Sequence, residues 1–581
     1  MYRAGFGRAD MTIYEPGMVM QGWASQGNRV SGVGTPLFAR AFVVEAEGTK
    51  LAFVCADLNT ISTALRAGVI AALGRDHAGR GLDAHNVMLT ATHTHSGPSG
   101  YSQYAMYNAA NFGFSPYVWS GLVDAIVAAI VMADDVCEPV VLRLGESQIP
   151  EDEPVAFNRS IASYLRNREA SAAATTTSAV DRRSVTLRAD RMGGTGGTLG
   201  IINWLGVHAS NVHGDQTLLH GDNKGLAALG MERDAGEADG FVPGFVAIFA
   251  QAAAGDVQPN FRVDAQRGLL VGAHDEDHAS AAANADIQVH WARVAHAQAL
   301  SAAPLTGRIR TRTMTADLGA VEVDADLAGR RGVRTLPAQI GLAQAAGNPE
   351  GPGPLLAAAA LLRGYAALHH AVSPAGDAKP HFLDVGRGLE GRVLGLLPTR
   401  WAMPFVARFE PMIAFLHTAD KAGELLAGPW VPNVLPLQLA EIGDLAILAL
   451  PVELTVTAAR RLRATVAFEL AQRPPRTVVT QGYANAYAGY LCTQEEYQRQ
   501  AYEAGATYFG PHSLAAWQTL VRRLARKPEG QDGATSGPLP DRFDPAQLVR
   551  QRIAGRRGVR GPGSEAYVPA AAHSAHLGAF T

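Results

Sequence analysis

The chain has 581 residues, enough to bury a large hydrophobic core. Hydrophobic residues make up 47% of the chain and charged residues 18%, which is ordinary for a soluble globular protein. The net charge of −3 gives no strong field that would favour nucleic acid or an anionic membrane as a partner.

Targeting and redox signals are sparse. The N-terminal segment lacks the charged start and apolar core of a secretory signal, and no run of about 18 apolar residues predicts a transmembrane helix. Only three cysteines occur, at scattered positions, which argues against a disulfide framework and fits a reducing compartment. We therefore expect a cytoplasmic protein, and a homo-oligomer stays open.

Apolar and β-branched runs mark the predicted strands, and two longer stretches predict helices. The first two strands, Phe38–Glu45 and Leu51–Ala56, are joined by a Glu-Gly-Thr-Lys turn signal. The predicted helices are Thr63–Leu73 and Tyr117–Met132. The other predicted strands are Asn86–Thr92, Pro139–Leu144, Ser184–Arg188, Leu199–Trp204, Phe245–Gln251 and Leu445–Leu450. Helices mix with strands throughout, which indicates an α/β fold, a layered mixed-sheet domain.

Stretches rich in Gly, Pro, Ser and Thr predict surface segments at Ala170–Ser178, Met192–Gly197 and Gly347–Pro354. After Lys527 the composition turns to Gly, Pro, Arg and Ala. We predict a catalytic domain over residues 1–527 and a tail over residues 528–581 that contains one helix, Pro545–Ala554.

The sharpest motif is Thr92–Pro98, a Thr-His-Thr-His-Ser-Gly-Pro run directly after an apolar strand. Residues two apart on extended backbone project to the same side, so His93 and His95 can face one pocket. Active sites of α/β enzymes lie at such strand ends. The motif alone leaves two interpretations open: a metal or catalytic pair, or two hydrogen-bonded histidines at a strand end.

A second group of histidines, His208, His213 and His220, follows the strand that ends at Trp204. Neutral imidazole is a good zinc ligand, and the remaining ligands would come from elsewhere in the chain. Asp222 could orient a ligand histidine. Surface positions in a loop are the alternative for His213 and His220.

Three further polar groups accompany these histidines. The run His274–His278 is metal-like in composition, but no apolar strand adjoins it, and we predict a solvated loop. Glu453 ends an apolar strand and could be a ligand, a general base or a salt-bridge partner of Arg460 and Arg461. The run Gly482–Tyr490 places three tyrosines among small residues.

Taken in order, these motifs resemble the neutral ceramidase family over roughly residues 1–525. The matching segments are Gly5–Asp10, Met20–Trp23, Arg40–Phe42, Thr92–Pro98, Asn158–Ser160, Asn203–Trp204, Val207–His208, Gly221–Gly225, Gly255–Val257, Pro451–Glu453, Asn485–Tyr490, Glu495–Tyr497, Tyr502–Glu503 and Gly510–His512. Their order along the chain makes chance agreement improbable. The resemblance implies the family's layered catalytic domain.

By that resemblance, one Zn²⁺ ion would be held by His93, His208, Glu453 and Tyr490. The residues implied to contact the scissile amide or a substrate hydroxyl are His95, Arg159 and either Tyr497 or Tyr502. Such a ligand set leaves room for a water on zinc, whose pKa falls to near 7. The resulting hydroxide can attack an amide carbonyl, with a donor such as His95 stabilising the oxyanion.

Two departures from the family pattern matter. In the family the Gly-Asp-Val segment continues with Ser-Pro-Asn, and that serine is assigned as the nucleophile, whereas Gln258 stands in its place here. Glutamine cannot form an acyl-enzyme, so zinc-bound hydroxide is the expected nucleophile and Gln258 a hydrogen-bond donor. We also expect no counterpart of the family's C-terminal immunoglobulin-like domain. This weakens ceramide as the expected natural substrate.

The leading hypothesis is therefore hydrolysis of a linear N-acyl amide, either ceramide-like or another lipid or small-molecule amide. Two segments, Leu355–Val372 and Leu394–Phe415, could line an acyl pocket or form core helices. Two alternatives stay open. One is a zinc esterase or lactonase that uses the same ligands, and the other is a non-catalytic binding homologue marked by Gln258.

Overall fold

The computed structural model describes residues 1–193, 197–237, 240–353, 379–408, 411–425, 428–472, 475, 477–527 and 559–560. The strands of the larger sheet are β1 (Tyr2–Asp10), β2 (Phe38–Ala46), β3 (Thr49–Ala56), β4 (Val87–Ala91), β5 (Glu138–Gln148), β6 (Arg183–Arg191), β7 (Thr198–Leu205) and β8 (Phe241–Gln251). The strands of the smaller sheet are β9 (Ile309–Asp317), β10 (Val434–Ile442), β11 (Leu445–Ala449) and β12 (Thr477–Gln481).

The longer helices are α1 (Thr63–Asp76), α2 (Pro116–Asp135), α3 (Asp222–Glu237), α4 (Asp277–Ser301), α5 (Thr399–Val406), α6 (Pro411–Lys421), α7 (Val456–Glu469) and α8 (Ser513–Ala525). Shorter helices and turns lie at Ala78–Arg80, Ala105–Asn108, Ala109–Asn111, Ile161–Tyr164, Ala325–Ala328, Leu342–Ala346, Gly388–Glu390, Gln494–Tyr497 and Tyr502–Gly505. Short strands lie at Ile13–Tyr14, Gln21–Gly22, Gly32–Val33, Ser96–Gly97, Phe157–Asn158, Leu218–Leu219, Val257–Gln258, Arg262–Asp264, Leu269–Val271, Ile340–Gly341, Gly347–Asn348, Gly351–Pro352, His381–Leu383, Arg392–Val393, Leu397–Pro398, Glu453–Leu454, Tyr490–Leu491 and Val559–Arg560.

Both sheets are mixed. The larger has the order β8-β7-β6-β5-β1-β2-β3-β4, and the smaller has the order β9-β10-β11-β12. Most neighbours are antiparallel, while β3 with β4, β7 with β8 and β11 with β12 run parallel. Each parallel pair is joined by a crossover that contains a helix, which is α1, α3 or α7. The predicted mixed sheet is confirmed.

Helices cover one face of the larger sheet. Helix α2 packs on β1 and β2, α4 packs on β5 and β6, and α3 packs on β8. The close approach of α2 to β1 depends on Gly5 and Gly7, because a Cβ at either position would collide with the carbonyl oxygen of Ala133 or Ala129. The two glycines thus set the distance between the sheet and its helix layer.

The opposite face of the larger sheet packs against the smaller sheet. Phe53 and Trp204 from the larger sheet share one apolar cluster with Ile442 and Ile447 from the smaller sheet. Helices α7 and α8 cover the outer face of the smaller sheet. The order of layers is therefore helix, sheet, sheet, helix, which confirms the layered α/β fold.

The predicted strands and helices agree with the structure within a few residues at each end. Strands β1, β9, β10 and β12 were not predicted. The surface assignment of Gly347–Pro354 is wrong at Glu350, whose side chain is buried in a charged cluster. The solvated loop predicted at His274–His278 is confirmed for the exposed residues His274–Glu276. It is wrong at Asp277, which begins α4, is buried and accepts a hydrogen bond from the backbone N–H of His213.

Two further expectations concern the C-terminal tail and membrane-spanning helices. The predicted helix Pro545–Ala554 and the apolar segment Leu355–Val372 lie outside the described residues. Val559–Arg560 pairs with Ile13–Tyr14. Among the described residues, one helix, α2, is long and apolar enough to cross a membrane. Of its most apolar window, 78% is buried inside the fold, as in the core helix of a layered protein.

Candidate active site

Two loops at strand ends bring the histidines together. His93 follows β4 in a left-handed backbone conformation, with φ of 68°, and its Nδ1 donates to the Asn59 carbonyl oxygen at 2.7 Å. His208 follows β7, and its Nδ1 lies 2.5 Å from the carbonyl oxygen of Ala254. Because backbone acceptors hold the Nδ1 protons, the Nε2 lone pair of each ring is free for a ligand.

A carboxylate and a phenol meet these two rings. Glu453 and Tyr490 pair directly across a short parallel bridge. Glu453 Oε2 lies 3.3 Å from Nε2 of His93 and 3.1 Å from Nε2 of His208, and the Tyr490 hydroxyl lies 3.4 Å from Nε2 of His208. Ligands about 2.0–2.2 Å from a tetrahedral ion are separated by about 3.3–3.6 Å. The donor spacing therefore fits a small four-coordinate metal ion.

Two tyrosines fix the carboxylate of Glu453. The Tyr487 hydroxyl donates to Oε1 at 2.5 Å, and the Tyr483 hydroxyl donates to Oε2 at 3.2 Å. The Tyr483 ring also stacks on the His93 ring, with centroids 4.2 Å apart. The carboxylate is thus oriented before any ion binds, as in many metal sites.

Burial and close neighbours shift the acid–base properties of the cluster. Burial alone would raise the pKa of Glu453, but His93 and His208 outweigh it and hold that pKa well below its usual range. Burial, with His93 and His208 nearby, lowers the pKa of His95 well below its ordinary value, so His95 is neutral. Burial and Glu453 raise the pKa of Tyr490 well above its ordinary value. A cation beside Tyr490 would favour the phenolate.

Arg159 lies behind Tyr490 and is fully engaged there. Its Nη2 donates to the Tyr490 hydroxyl at 3.1 Å, its Nε to Glu503 at 2.8 Å and its Nη1 to Glu350 at 3.2 Å. The side chain is only 1% exposed. This geometry makes Arg159 a positioning residue for Tyr490, a placement that differs from the substrate contact implied by the family resemblance.

A cavity of about 150 Å³ lies over the cluster. The residues that line it are Met20, Gln21, Gly22, Ala24, Asn59, His93, His95, Ser99, Met106, Tyr107, Ala110, Asn111, Gln344, Glu453, Tyr487, Tyr490, Tyr502 and Tyr508. His95 Nε2 lies 3.2 Å from His93 Nε2, and the His95 ring packs on Trp23. The nitrogens of His93, His95 and His208 lie close enough together to hold a metal.

The remaining predicted catalytic residues lie at different distances from this cavity. Tyr502 lines it, whereas Tyr497 is buried beside Lys379, whose Nζ lies 5.4 Å from the ring centroid. Gln258 is buried in the short strand paired with Phe157, and its Nε2 donates to the Asn260 carbonyl oxygen at 2.7 Å. Of the two tyrosines left open, the geometry favours Tyr502.

Three expectations about the second histidine group are corrected. The carboxylate of Asp222 accepts backbone N–H bonds from Asn211, Val212 and Asn223, so it orients backbone where we predicted a ligand histidine. His213 and His220 are buried, which excludes the surface positions left open for them.

Sequence reasoning missed several residues that support the ligands. They are Asn59, Glu350, Tyr483, Tyr487 and Glu503. The three-tyrosine run contained the signal for Tyr483 and Tyr487, because these two tyrosines and Tyr490 follow one another at spacings of four and three residues. Nothing local marked Glu350, which lies in a Gly/Pro-rich hairpin.

The fold and the site together define a class of protein. It is a four-layer α/β protein with a candidate metal-dependent active site, in which buried histidines, a carboxylate and a phenol lie at the base of a cavity. The family model "Neutral/alkaline non-lysosomal ceramidase, N-terminal" matches residues 2–367 and 418–519. The chain therefore belongs to the neutral/alkaline non-lysosomal ceramidase family.

Individual relatives agree. The chain is 32% identical to the neutral ceramidase of Pseudomonas aeruginosa, over 90% of this chain and 72% of that protein. It is 30% identical to the neutral ceramidase of Mycobacterium tuberculosis, over 93% of this chain and 79% of that protein. The crystal structure of the Pseudomonas aeruginosa enzyme superposes with a TM-score of 0.71 at 30% identity, covering 90% of this chain and 74% of that one.

Proposed function

We propose that the chain hydrolyses the amide bond of an N-acyl lipid such as ceramide, using one Zn²⁺ ion held by His93, His208, Glu453 and Tyr490. The observation that carries this proposal is the spacing of 3.1–3.4 Å that separates Glu453 from both histidines and Tyr490 from His208. Two imidazoles, a carboxylate and a phenolate suit zinc. The names of the relatives support the amide of ceramide as the substrate.

When bound, Zn²⁺ would polarise the amide carbonyl and lower the pKa of a nearby water. The chain's own residues supply the rest. His95 is neutral, faces the cavity and can donate one N–H to the oxygen that gains charge. Tyr502 lines the same wall and can donate to a substrate hydroxyl. Gln258 lies buried on Asn260, so its side chain offers no nucleophile, and water takes that role.

The volume of the cavity limits which part of a substrate it can enclose. About 150 Å³ is below the roughly 300–1,000 Å³ of pockets that enclose whole drug-sized ligands. The described cavity therefore suits an amide and its polar neighbours, with the alkyl chains leading outward. Met106 and Tyr107 on its wall offer apolar contact to the first part of such a chain.

The test is release of fatty acid from N-acylsphingosine, compared with an ester of the same acyl chain. Purified protein is stripped with a chelator and restored with zinc, and Glu453→Gln is measured alongside. We expect activity on the amide that disappears on stripping, returns with zinc and is absent in Glu453→Gln. Amide hydrolysis unaffected by full metal removal would refute the zinc site, and a preference for the ester would favour the esterase alternative.

The replacement at Gln258 favours one second candidate, a homologue that binds without cleaving. Gln258→Ser distinguishes the two. Under the proposed mechanism this variant does not create activity, because the parent already hydrolyses the amide. If the parent binds N-acylsphingosine without releasing fatty acid and the serine variant releases it, the binding-only candidate is correct.

A further inference from the structure

An unusual amount of apolar surface lies on α5 and the residues before it. Leu396 is 64% exposed, Leu397 53%, Trp401 78% and Phe405 63%. These four side chains lie within ten residues of sequence. We predicted that Leu394–Phe415 forms core helices or lines an acyl pocket, and this part of it does neither. Contiguous exposed apolar surface of this kind marks interaction sites.

The side of α5 opposite the exposed residues is the side that packs on the protein. Thr399, Ala402 and Met403 are buried and attach the helix to the protein. Trp401 and Phe405 are four residues apart, so they share the outward face of the helix. Apolar residues therefore lie on both sides of the helix, and the larger ones face outward.

Basic residues surround the patch. Within residues 387–408 there are four arginines, Arg387, Arg392, Arg400 and Arg408, all exposed, and one acid, the exposed Glu390. Arg400 and Glu390 approach each other at 3.6 Å, which neutralises one of the positive charges. Tryptophan and leucine with flanking arginines are the composition that binds the boundary between lipid headgroups and acyl chains. The excess of positive charge complements an anionic bilayer surface.

The patch lies close to the cavity wall. Helix α5 packs on α6, and α6 packs on the turn Ala109–Asn111. Phe415 of α6 contacts Phe112 with ring centroids 5.9 Å apart. Ala110 and Asn111 of that turn line the cavity. One helix thus separates the exposed apolar residues from the wall of the candidate active site.

We propose that Leu396, Leu397, Trp401 and Phe405, with the surrounding arginines, dock the protein on an anionic lipid bilayer. Docking there would hold the cavity near the surface from which a lipid amide is taken. That last role depends on the proposed function, whereas binding to the bilayer does not. The occupant is the bilayer surface, and a protein partner or a second copy of the chain is a competing outcome.

The direct test is sedimentation of the zinc-loaded protein with vesicles of phosphatidylcholine containing about 30% phosphatidylglycerol. We expect binding that weakens as salt screens the arginines. Trp401→Glu should weaken binding by at least about tenfold, because it removes the most exposed apolar side chain of the patch. Phe468→Glu is the matched control, since Phe468 is an aromatic residue that is 72% exposed on α7, outside the patch.

Three results would overturn the proposal. The parent protein does not bind these vesicles, Trp401→Glu binds as well as the parent, or Phe468→Glu loses as much binding as Trp401→Glu. A parent dimer that Trp401→Glu converts to a monomer, without vesicle binding, would assign the patch to self-association instead. Hydrolysis of a soluble short-chain amide is measured in parallel and should not change in Trp401→Glu. If the parent does not hydrolyse the soluble amide, the proposed function is refuted, and vesicle binding remains as a separate result.

Discussion

The hydrogen bond from Tyr487 to Glu453 offers a sharp test of the proposed metal site. Replacing Tyr487 with phenylalanine removes a donor 2.5 Å from Oε1 while keeping the ring. The carboxylate keeps one hydroxyl donor, Tyr483, on its other oxygen. Tyr487→Phe therefore leaves all four proposed ligands in place and alters only the support of one of them.

The expected magnitude follows from the charge on the acceptor. A hydrogen bond to an ionised group contributes about 1.5–3 kcal/mol to stability. Each 1.36 kcal/mol corresponds to a factor of ten, so the affinity for zinc should fall by about 10- to 150-fold. Loss of a group that orients a metal ligand typically costs 10–100-fold in affinity, which agrees.

The assay is competition for zinc between the protein and a chromophoric chelator, which needs no substrate. Tyr107→Phe is the control, because Tyr107 lines the same cavity and donates to the carbonyl oxygen of Tyr487 instead of to Glu453. We expect the control to bind zinc within about threefold of the parent. Equal affinities in the parent and Tyr487→Phe would refute the role of the Tyr487 hydroxyl in supporting Glu453 as a ligand.

Three further changes test other parts of the structure. Glu350→Gln should lower the free energy of unfolding by about 3 kcal/mol in urea titrations, because it removes a buried charge partner of Arg159, and an unchanged midpoint would contradict this. Gly7→Val should abolish soluble protein, whereas Gly74→Ala, with open space around it, should fold normally. Lys224 is fully buried, and burial lowers its pKa to about 7, so the parent loses stability as pH falls from about 10.5 to 7. The free energy of unfolding of Lys224→Met should lack this pH dependence, which amounts to up to about 5 kcal/mol in the parent. Stability curves of the parent and the variant that run parallel from pH 7 to 10 would refute the prediction.

The layered fold could be predicted where apolar runs are continuous. Strands β3, β4 and β11 are short runs of buried residues, and their pattern is unambiguous. Strand β1 was missed because Gly5 and Gly7 are typical of turns. Their actual role, the close approach of α2, is a contact with residues more than 120 positions away. Local pattern cannot report such a contact.

The same distinction separates the predicted and missed parts of the site. His93, His208 and Glu453 each lie at or just beyond a strand end, where sequence pattern and chemistry coincide. Glu350 and Glu503 act through Arg159, which is 191 and 344 positions away from them. Their role depends on how separate layers pack, and a single sequence contains no direct signal of it.

Charge accounting gives a reason for a divalent ion that is independent of donor spacing. Three buried carboxylates, Glu350, Glu453 and Glu503, lie within two contacts of Tyr490, and Arg159 is the cation that pairs with Glu350 and Glu503. With neutral histidines, these four ionised groups sum to −2. Buried charge without compensation is strongly destabilising. An ion of charge +2 at Glu453 would offset this −2, leaving −1 where Tyr490 binds it as the phenolate, whereas a neutral ligand in the same place would offset none of it. If the purified protein holds no divalent metal and remains as stable after chelation, this accounting is wrong.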